Sequence, residues 1–364
     1  MYDRIVIIGV GLIGGSLGLA VKRKHPGSLV IGVSSPQAVA TAVEMGAIDR
    51  GVAYDLAGAE AAQADLVVLC TPISRILELL KILAPFLKPG VVITDVGSTK
   101  REITGQAGRV LPPGVHFIGG HPMTGSEKSG VGAADPFLFQ NAMYILTPGE
   151  GVPDREVLRF GNFTAGLGAR VVRMDAALHD RIAAAVSHLP QMLAVNLVNM
   201  VGEKASPAEP YLQLAAGGFR DMTRIASSPF HMWDDICRTN RDAIVEAIDE
   251  YIARLGDLRD RIGTPPLGDD FETANATRAS IPKDSKGFMH ALAEILVVLE
   301  DRPGAIAGIA TALARENINI KDIEVMKVRE GEGGTLRLAF DSPGEANRVI
   351  ELLGGLGYAA RLRG

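Results

Sequence analysis

One histidine stands at an unusually constrained point of this 364-residue sequence. In "FIGGHPMTGSEKSG", His121 follows an apolar run and two glycines and precedes Pro122. An imidazole ionises near neutral pH, so at a stiff turn it suits a general base that takes a hydroxyl proton. Glu127, just beyond it, is placed either to orient that imidazole or to lie in solvent. Two other polar clusters interrupt apolar surroundings. "VSHLPQM" sets Ser187, His188 and Gln191 on a proline-containing helix, and "GGFRDMTRIASSPFHMWDD" carries Arg220, Asp221, Arg224 and Trp233. Arg220 and Arg224 are spaced to share a helix face. A guanidinium grips a carboxylate through paired hydrogen bonds, so the two are expected to hold a substrate carboxylate. Gly217, Gly218, Phe219 and Met222 are expected to be partly buried beside them; the alternative is a surface charge set.

A base of this kind needs an oxidant, and the N-terminus offers a place for one. "IVIIGVGLIGGSLGLA" gives Gly9-x-Gly11-x-x-Gly14 after a strand and at the opening of a helix. Gly9 permits the tight turn, Gly11 lets the backbone approach a pyrophosphate, and Gly14 lets helix and strand pack closely. The helix then turns free N–H groups toward the phosphate. A nicotinamide dinucleotide is the expected cofactor, held by Gly9, Gly11, Leu12, Ile13 and Gly14, and by Thr71 and Pro72 of the later strand end "CTPISR". The second strand of such a fold ordinarily ends in an acid for the ribose hydroxyls of NAD. Here Ser34 holds that place, with Ser35 beside it. Losing the carboxylate removes a repulsion against a 2′-phosphate, so NADP is admitted as well as NAD. No arginine follows at once, and the choice between them stays open.

The elements that must position these residues can be read from periodicity. Through residues 1–172, short β-branched runs alternate with helical stretches, which predicts a mostly parallel sheet covered on both faces by helices. Ligands of such sheets bind at the carboxyl ends of the strands, where "CTPISR", "TDVGSTK" and "GGHPMTG" fall. Strand signals stop at residues 173–264, where helical periodicity takes over. Residues 265–288, rich in Gly, Pro and charge, read as linker. Residues 289–364 spell strand-helix-strand-strand-helix-strand, the ferredoxin-like order.

The bulk numbers exclude other classes. A net charge of −5 gives no reason to expect nucleic acid or an anionic membrane as partner. Two cysteines, Cys70 and Cys237, cannot make a disulfide framework, which suits a reducing cytoplasmic setting. No signal peptide is read, since the chain enters a strand by Arg4. The longest apolar stretch, "IAAAVSHLPQMLAVNLVNMVG", contains His188, Pro190 and Asn196 and reads as a buried helix rather than a membrane span. The seven histidines show no helical i,i+4 pair, so no metal is expected. No G-x-S-x-G elbow supports a nucleophilic serine.

"VGLIGGSLGLA", "DVGSTK", "GGHPMTGSEKSG", "SHLPQ" and "GFRDMTRIASSPFHMWDDI", in that order, resemble the signatures of the prephenate/arogenate dehydrogenases of tyrosine biosynthesis. "VVLEDRPGAIAGIATALARENINI" resembles the opening of an ACT domain, an amino-acid-binding regulatory module. The resemblance implies a Rossmann domain, an all-α dimerisation domain and a ferredoxin-like ACT domain. It implies oxidative decarboxylation of prephenate, with arogenate dehydrogenase or a dual cyclohexadienyl dehydrogenase as alternatives. It places His121 on the substrate 4-hydroxyl and Ser98 near that hydroxyl and the nicotinamide. Arg224 matches the arginine on a substrate carboxylate, and Ser126 and Glu127 match polar pocket residues. Ser187 and Gln191 match positions near the substrate side chain, and Trp233 an aromatic from the partner of a homodimer. Some members carry histidine at Gln191 and lysine at Arg220; Gln191 is neutral at all pH, so a charge-based reading of the side-chain site does not choose between prephenate and arogenate here. In the tail, Asp301, Pro303 and Gly304 between the first strand and helix, and Asn317 and Asn319 at the start of the next strand, are expected to receive L-tyrosine, with Pro303 in the first helical turn. The 3-hydroxyacid dehydrogenases, which use a helical lysine, and a non-enzymatic nucleotide sensor are the competing readings.

Overall fold

In the strand β1 (Arg4–Ile8), every residue after Arg4 is buried because successive side chains serve two different cores. Ile5 and Ile7 join Tyr2, Leu17 and Val21 on one face; Val6 and Ile8 join Leu69, Ile76 and Leu80 on the other. The computed structural model describes residues 1–125, 128–206, 209–281, 292–300, 302–329 and 333–363.

Around β1 lie β2 (Leu29–Val33), β3 (Arg50–Val52), β4 (Leu66–Leu69), β5 (Val92–Asp95), β6 (His116–Pro122), β7 (Met143–Pro148) and β8 (Arg170–Arg173). Their order is β3-β2-β1-β4-β5-β6-β7-β8. The first six are parallel; β7 pairs antiparallel with β6 and parallel with β8. The faces are covered by α1 (Leu12–Lys24), α2 (Pro36–Glu44), α3 (Ala57–Ala61), α4 (Ile73–Leu83), α5 (Arg101–Val110) and α6 (Asp154–Gly166). This is the expected doubly covered parallel sheet, with the short β3 and β8 added at its edges.

Helices follow: α7 (Ala176–Ala183), a π turn (Ala184–His188), α8 (Leu189–Gly202), α9 (Gly217–Thr223), a 3-10 turn (Arg224–Ser227), α10 (Phe230–Thr239) and α11 (Arg241–Arg261). The π turn lies directly before Pro190, which cannot donate to the helical ladder, so the backbone widens there. The stretch expected as a buried helix is not buried in this chain: of α8 only Gln191 and Ala194 are. Its apolar character serves a face left open, with Ile182, Val186 and Met200 all exposed.

The expected linker also needs correction. Residues Leu267–Ser280 form α12. Asp269 and Asp270 occupy its first turn, where acids favour a helix N-terminus, and Arg261 pairs with Asp270. Gly and Pro at 263–268 masked the helix-forming residues that follow. The chain divides into two compact units, Met1–Asp270 and Phe271–Gly364. The second holds β9 (Ala293–Leu299), α13 (Ala305–Arg315), β10 (Asp322–Arg329), β11 (Gly333–Phe340), α14 (Pro343–Gly355) and β12 (Ala360–Leu362). Its antiparallel sheet runs β10-β11-β9-β12, the ferredoxin-like order expected. Ile295, Val297, Leu336 and Leu338 pack beneath Ile309, Leu313 and Val349.

Candidate active site

The β1–α1 turn closes only with glycine. Gly9 has φ +95°, and a Cβ there would lie 2.6 Å from the Cys70 carbonyl oxygen. A Cβ on Gly14 would lie 2.2 Å from the Gly9 carbonyl oxygen. Gly11 has open space before it. No side chain caps the N-terminus of α1, and no acid sits in its first turn. Its N–H groups are therefore available to an anion, and the residues present fit the pyrophosphate of a dinucleotide. A cleft of about 490 Å³ joins this loop, with Leu12 and Ile13, to Thr71, Pro72, Ser98 and His121. The opposite wall is α10: Met232, Asp235 and Ile236 line it. The helix is fixed there because Asp235 accepts the Ser74 N–H at 2.8 Å and Thr239 bonds Thr99 at 2.7 Å. Ser34 is buried after β2; Ser35 caps α2, accepting the Ala38 N–H at 3.4 Å.

The two glycines before His121 have a steric cause. A Cβ on Gly119 would sit 2.3 Å from Thr147 Oγ1, and one on Gly120 would sit 2.5 Å from the Asp95 carbonyl oxygen. Their absence lets the end of β6 lie close between β5 and β7. Below it, Lys100 and Asp95 form a fully buried ion pair. Lys100 Nζ also donates to the Gly120 carbonyl at 2.8 Å, and Asp95 accepts the Gly120 N–H at 3.2 Å. The residue before His121 is thus clamped at both its peptide groups.

His121 Nδ1 lies 2.8 Å from His179 Nε2, and His179 Nδ1 lies 2.8 Å from Asp180 Oδ1. Asp180 accepts the backbone N–H of Lys100 at 2.7 Å and of Arg101 at 2.9 Å. Its own carbonyl accepts from Asn240, which also reaches His188 at 3.2 Å. Burial holds His121 well below the usual imidazole range, and the Lys100 ammonium and the His179 and His188 rings act in the same direction. Burial likewise lowers His188 to about 4. His121 and His188 are therefore kept neutral.

The other expected site residues are distributed differently. Ser126 and Glu127 lie outside the described residues. Gln191 is buried and donates to the Ile225 carbonyl at 3.0 Å, tying α8 to the turn that carries Arg224. Ser187 is half-buried on the π turn. Trp233 packs edge-on against His188, with 5.9 Å between ring centres. None of these lines the cleft among the described residues. Arg220 and Arg224 are exposed, and so are Gly217, Gly218 and Met222, with only Phe219 half-buried. The expected partial burial of that segment does not occur within one chain. The short α9 packs against α8 and the 3-10 turn that follows it.

In the second unit, Asp301 lies outside the described residues. Gly304, at φ +87°, is the N-cap of α13, so Pro303 precedes the helix instead of occupying its first turn. Asn317 (φ +57°) and Asn319 are exposed in the connection before β10, not at its start. A small cavity of about 140 Å³ near the start of α13 is lined by Glu300, Arg302, Ala305 and Thr335.

Sequence reasoning missed Asp95, Lys100, His179, Asp180 and Asn240. "LHDR" gives no local signal, because His179 meets His121 across 58 residues and Asp180 meets the Lys100 N–H across 80; the Asp95–Lys100 pair is local, but its burial is not visible in "STK".

Comparison with known proteins bears on all three regions. A family model described as "Prephenate dehydrogenase, nucleotide-binding domain" matches residues 17–173, and one described as "Prephenate dehydrogenase, dimerization domain" matches residues 175–273. A model of the ACT domain matches residues 293–357. The prephenate dehydrogenase of Bacillus subtilis (strain 168) is 40% identical over 359 residues, covering 97% of this chain and 96% of that protein. The crystal structure of prephenate dehydrogenase from A. aeolicus, in complex with hydroxyphenyl propionate and NAD+, superposes with a TM-score of 0.71 at 29% identity, covering 77% of this chain and 98% of that one. That of Synechocystis arogenate dehydrogenase gives 0.69 at 30% identity, covering 76% and 99%.

Proposed function

The chain belongs to the prephenate dehydrogenase family, and we propose that the cleft beneath His121 is where it oxidises and decarboxylates prephenate. It is a nicotinamide-dependent oxidoreductase of tyrosine biosynthesis. The observation that carries the site assignment is the direction of His121. Its Nδ1 is engaged behind the cleft, while the ring lines a cleft continuous with the glycine loop.

The bound cofactor supplies the hydride acceptor. The chain's residues do the rest. As ring carbon 4 of prephenate loses its hydride, His121 Nε2 takes the proton of the 4-hydroxyl. The ring carboxylate departs as CO₂, its bonding electrons enter the ring, and the oxygen becomes a phenolate. His121 returns the proton to that oxygen, giving 4-hydroxyphenylpyruvate with no net change in protons. Aromatisation drives the step, so the residues need chiefly to orient the substrate and handle one proton. Ser98, on the same cleft wall, is the second contact to the hydroxyl. Arg224 grips a substrate carboxylate. Leu214, Met222 and Phe230 are among the exposed apolar residues of the helical region, and a second copy of the chain docking there would cover them, in keeping with the dimerization model that matches. Ser34 and Ser35 leave the ribose subsite without a carboxylate, so NADP+ is admitted beside NAD+. The unpaired Cys70 and Cys237 suit a reducing cytoplasm.

The test follows reduced cofactor at 340 nm with prephenate and with arogenate, each with NAD+ and NADP+. CO₂ release coupled one-to-one to prephenate oxidation is expected; oxidation of neither compound would overturn the reading.

A further inference from the structure

We propose that His179 and Asp180 are positioning residues that set the tautomer of His121, so that it meets the substrate hydroxyl with a bare Nε2. This rests on His121 being the base, as proposed above.

The argument follows the donors. Both backbone N–H groups that reach Asp180, from Lys100 and Arg101, can only donate. The carboxylate therefore acts as an acceptor at both oxygens and keeps a lone pair on Oδ1 for a further donor, so the ring nitrogen 2.8 Å from that oxygen must carry hydrogen. That nitrogen is His179 Nδ1, so in the neutral ring His179 Nε2 is bare. It can only accept, and the nitrogen facing it at 2.8 Å, His121 Nδ1, must be the donor. One hydrogen remains to be placed on neutral His121, and it is now placed. Nε2 carries the lone pair, which is what a proton acceptor requires. The other tautomer would present an N–H to the hydroxyl and could not take its proton.

The same line serves the charged stage. When His121 holds the substrate proton, both its nitrogens carry hydrogen. The Nδ1–H still points at His179 Nε2, and the added charge is balanced through that ring by Asp180. The groups facing His121 from neighbouring elements otherwise oppose it: Lys100 ahead of α5, the His179 ring itself on α7 and His188 on the π turn all disfavour a cation there, and Asp95 on β5 is already engaged by Lys100. Asp180 is the remaining anion of the buried network. His179 and Asp180 are 1% and 3% exposed, and His179 lies within a turn of Asp175, which caps α7 through two N–H groups. The relay is therefore mounted on a fixed helix start rather than on a loop.

The experiment compares Asp180→Asn, His179→Gln and His121→Asn in the full chain. In Asp180→Asn the amide cannot dictate which nitrogen of His179 is protonated, and kcat is expected to fall about 10²-fold with KM for prephenate and Kd for NAD+ changed less than about threefold. His179→Gln should lose a similar factor. With histidine labelled in ¹⁵N, the wild-type His121 signal should report the Nδ1–H form, and Asp180→Asn should show a mixture. Unchanged kcat in both variants, or a wild-type His121 found as the Nε2–H form, would overturn the proposal. A parallel loss of kcat, KM, Kd and melting temperature with the tautomer unchanged would also overturn it, since that describes a structural role only. Near-normal turnover in His121→Asn would instead remove the base itself, and so distinguishes failure of the site reading from failure of the relay.

Discussion

At the scale of single residues, the site turns on keeping imidazoles neutral in a buried place. His121→Asn keeps a polar side chain of similar reach but cannot take a proton, so kcat should fall by about 10²–10⁴, with NAD+ affinity unchanged by titration. The pH profile gives a second check. Burial, then Lys100 and the two neighbouring histidines, hold His121 well below its ordinary value of 6.5. The acidic limb of kcat/KM should therefore lie below pH 6.5, and activity should persist where an exposed histidine would already be protonated. A limb at or above 6.5 would contradict the buried network. Stability carries the same sign. His188 is held at about 4, whereas in the unfolded chain it titrates near 6.5. Between these values the unfolded chain binds the proton and the folded one does not, so stability is full above about pH 6.5 and falls as pH drops toward 4. The loss from this one ring is on the order of 3 kcal/mol, measurable by denaturant melts across that window. His188→Gln should flatten the slope.

At the scale of elements, the strand ends decide how much freedom the site has. Gly120 is the test case, since a Cβ would press to 2.5 Å on the Asp95 carbonyl, which is backbone and cannot swing away. Gly120→Ala should cost about 1–3 kcal/mol in stability, and should lower kcat as well because His121 moves with β6. Loss of neither would mean that β6 shifts freely. At the end of β2, Ser34→Asp should move the ratio of kcat/KM toward NAD+ over NADP+, because a carboxylate there accepts from ribose hydroxyls and repels a 2′-phosphate. Much of this was legible in the sequence. The glycine spacing after β1, the alternation of β-branched runs and helical stretches, and the lone histidine between Gly120 and Pro122 are local signals, and the structure brings their residues to one cleft. What was hidden is what long-range packing creates. Lys100 reads as an ordinary charged residue until β5 and β6 bury it against Asp95. His179 and Asp180 read as the polar side of a helix until α7 delivers them behind His121. Arg220 and Arg224 show the reverse: their sequence suggests an enclosed site, yet in one chain they stand in solvent.

At the scale of the whole molecule, the ferredoxin-like tail raises the question of regulation. Residues 293–357 match a model of the ACT domain, and their sheet has the ferredoxin-like order. Its α13 opens at Gly304 without a side-chain cap, and although the Ala305 N–H donates to the Arg302 carbonyl, the next N–H groups of that turn are oriented toward a carboxylate. Arg302 and Thr335 line the small cavity beside it, though Arg302 also pairs with Glu300. L-Tyrosine, the end product of the pathway, is the expected effector. Tyrosine also resembles the product of the reaction, so inhibition alone does not identify its site. To regulate through the tail it must bind one state of the enzyme better than another, since equal affinity shifts nothing. The structure says where to cut. Ending the chain near Arg261 would remove α12 and the Arg261–Asp270 pair, and with them the last residues of the first unit, which runs to Asp270. A chain ending after Ile281 keeps α12 whole and removes the tail. Both forms should turn over prephenate with similar KM, while the full chain alone shows strong inhibition in a tyrosine titration, with half-inhibition at a concentration at least about tenfold lower than in the shortened form, a difference of about 1.4 kcal/mol in binding. Arg302→Ala in the full chain should weaken inhibition without changing turnover. Equal inhibition of the two forms would place tyrosine in the cleft beneath His121, as a product analogue, and leave the tail without a role in sensing it.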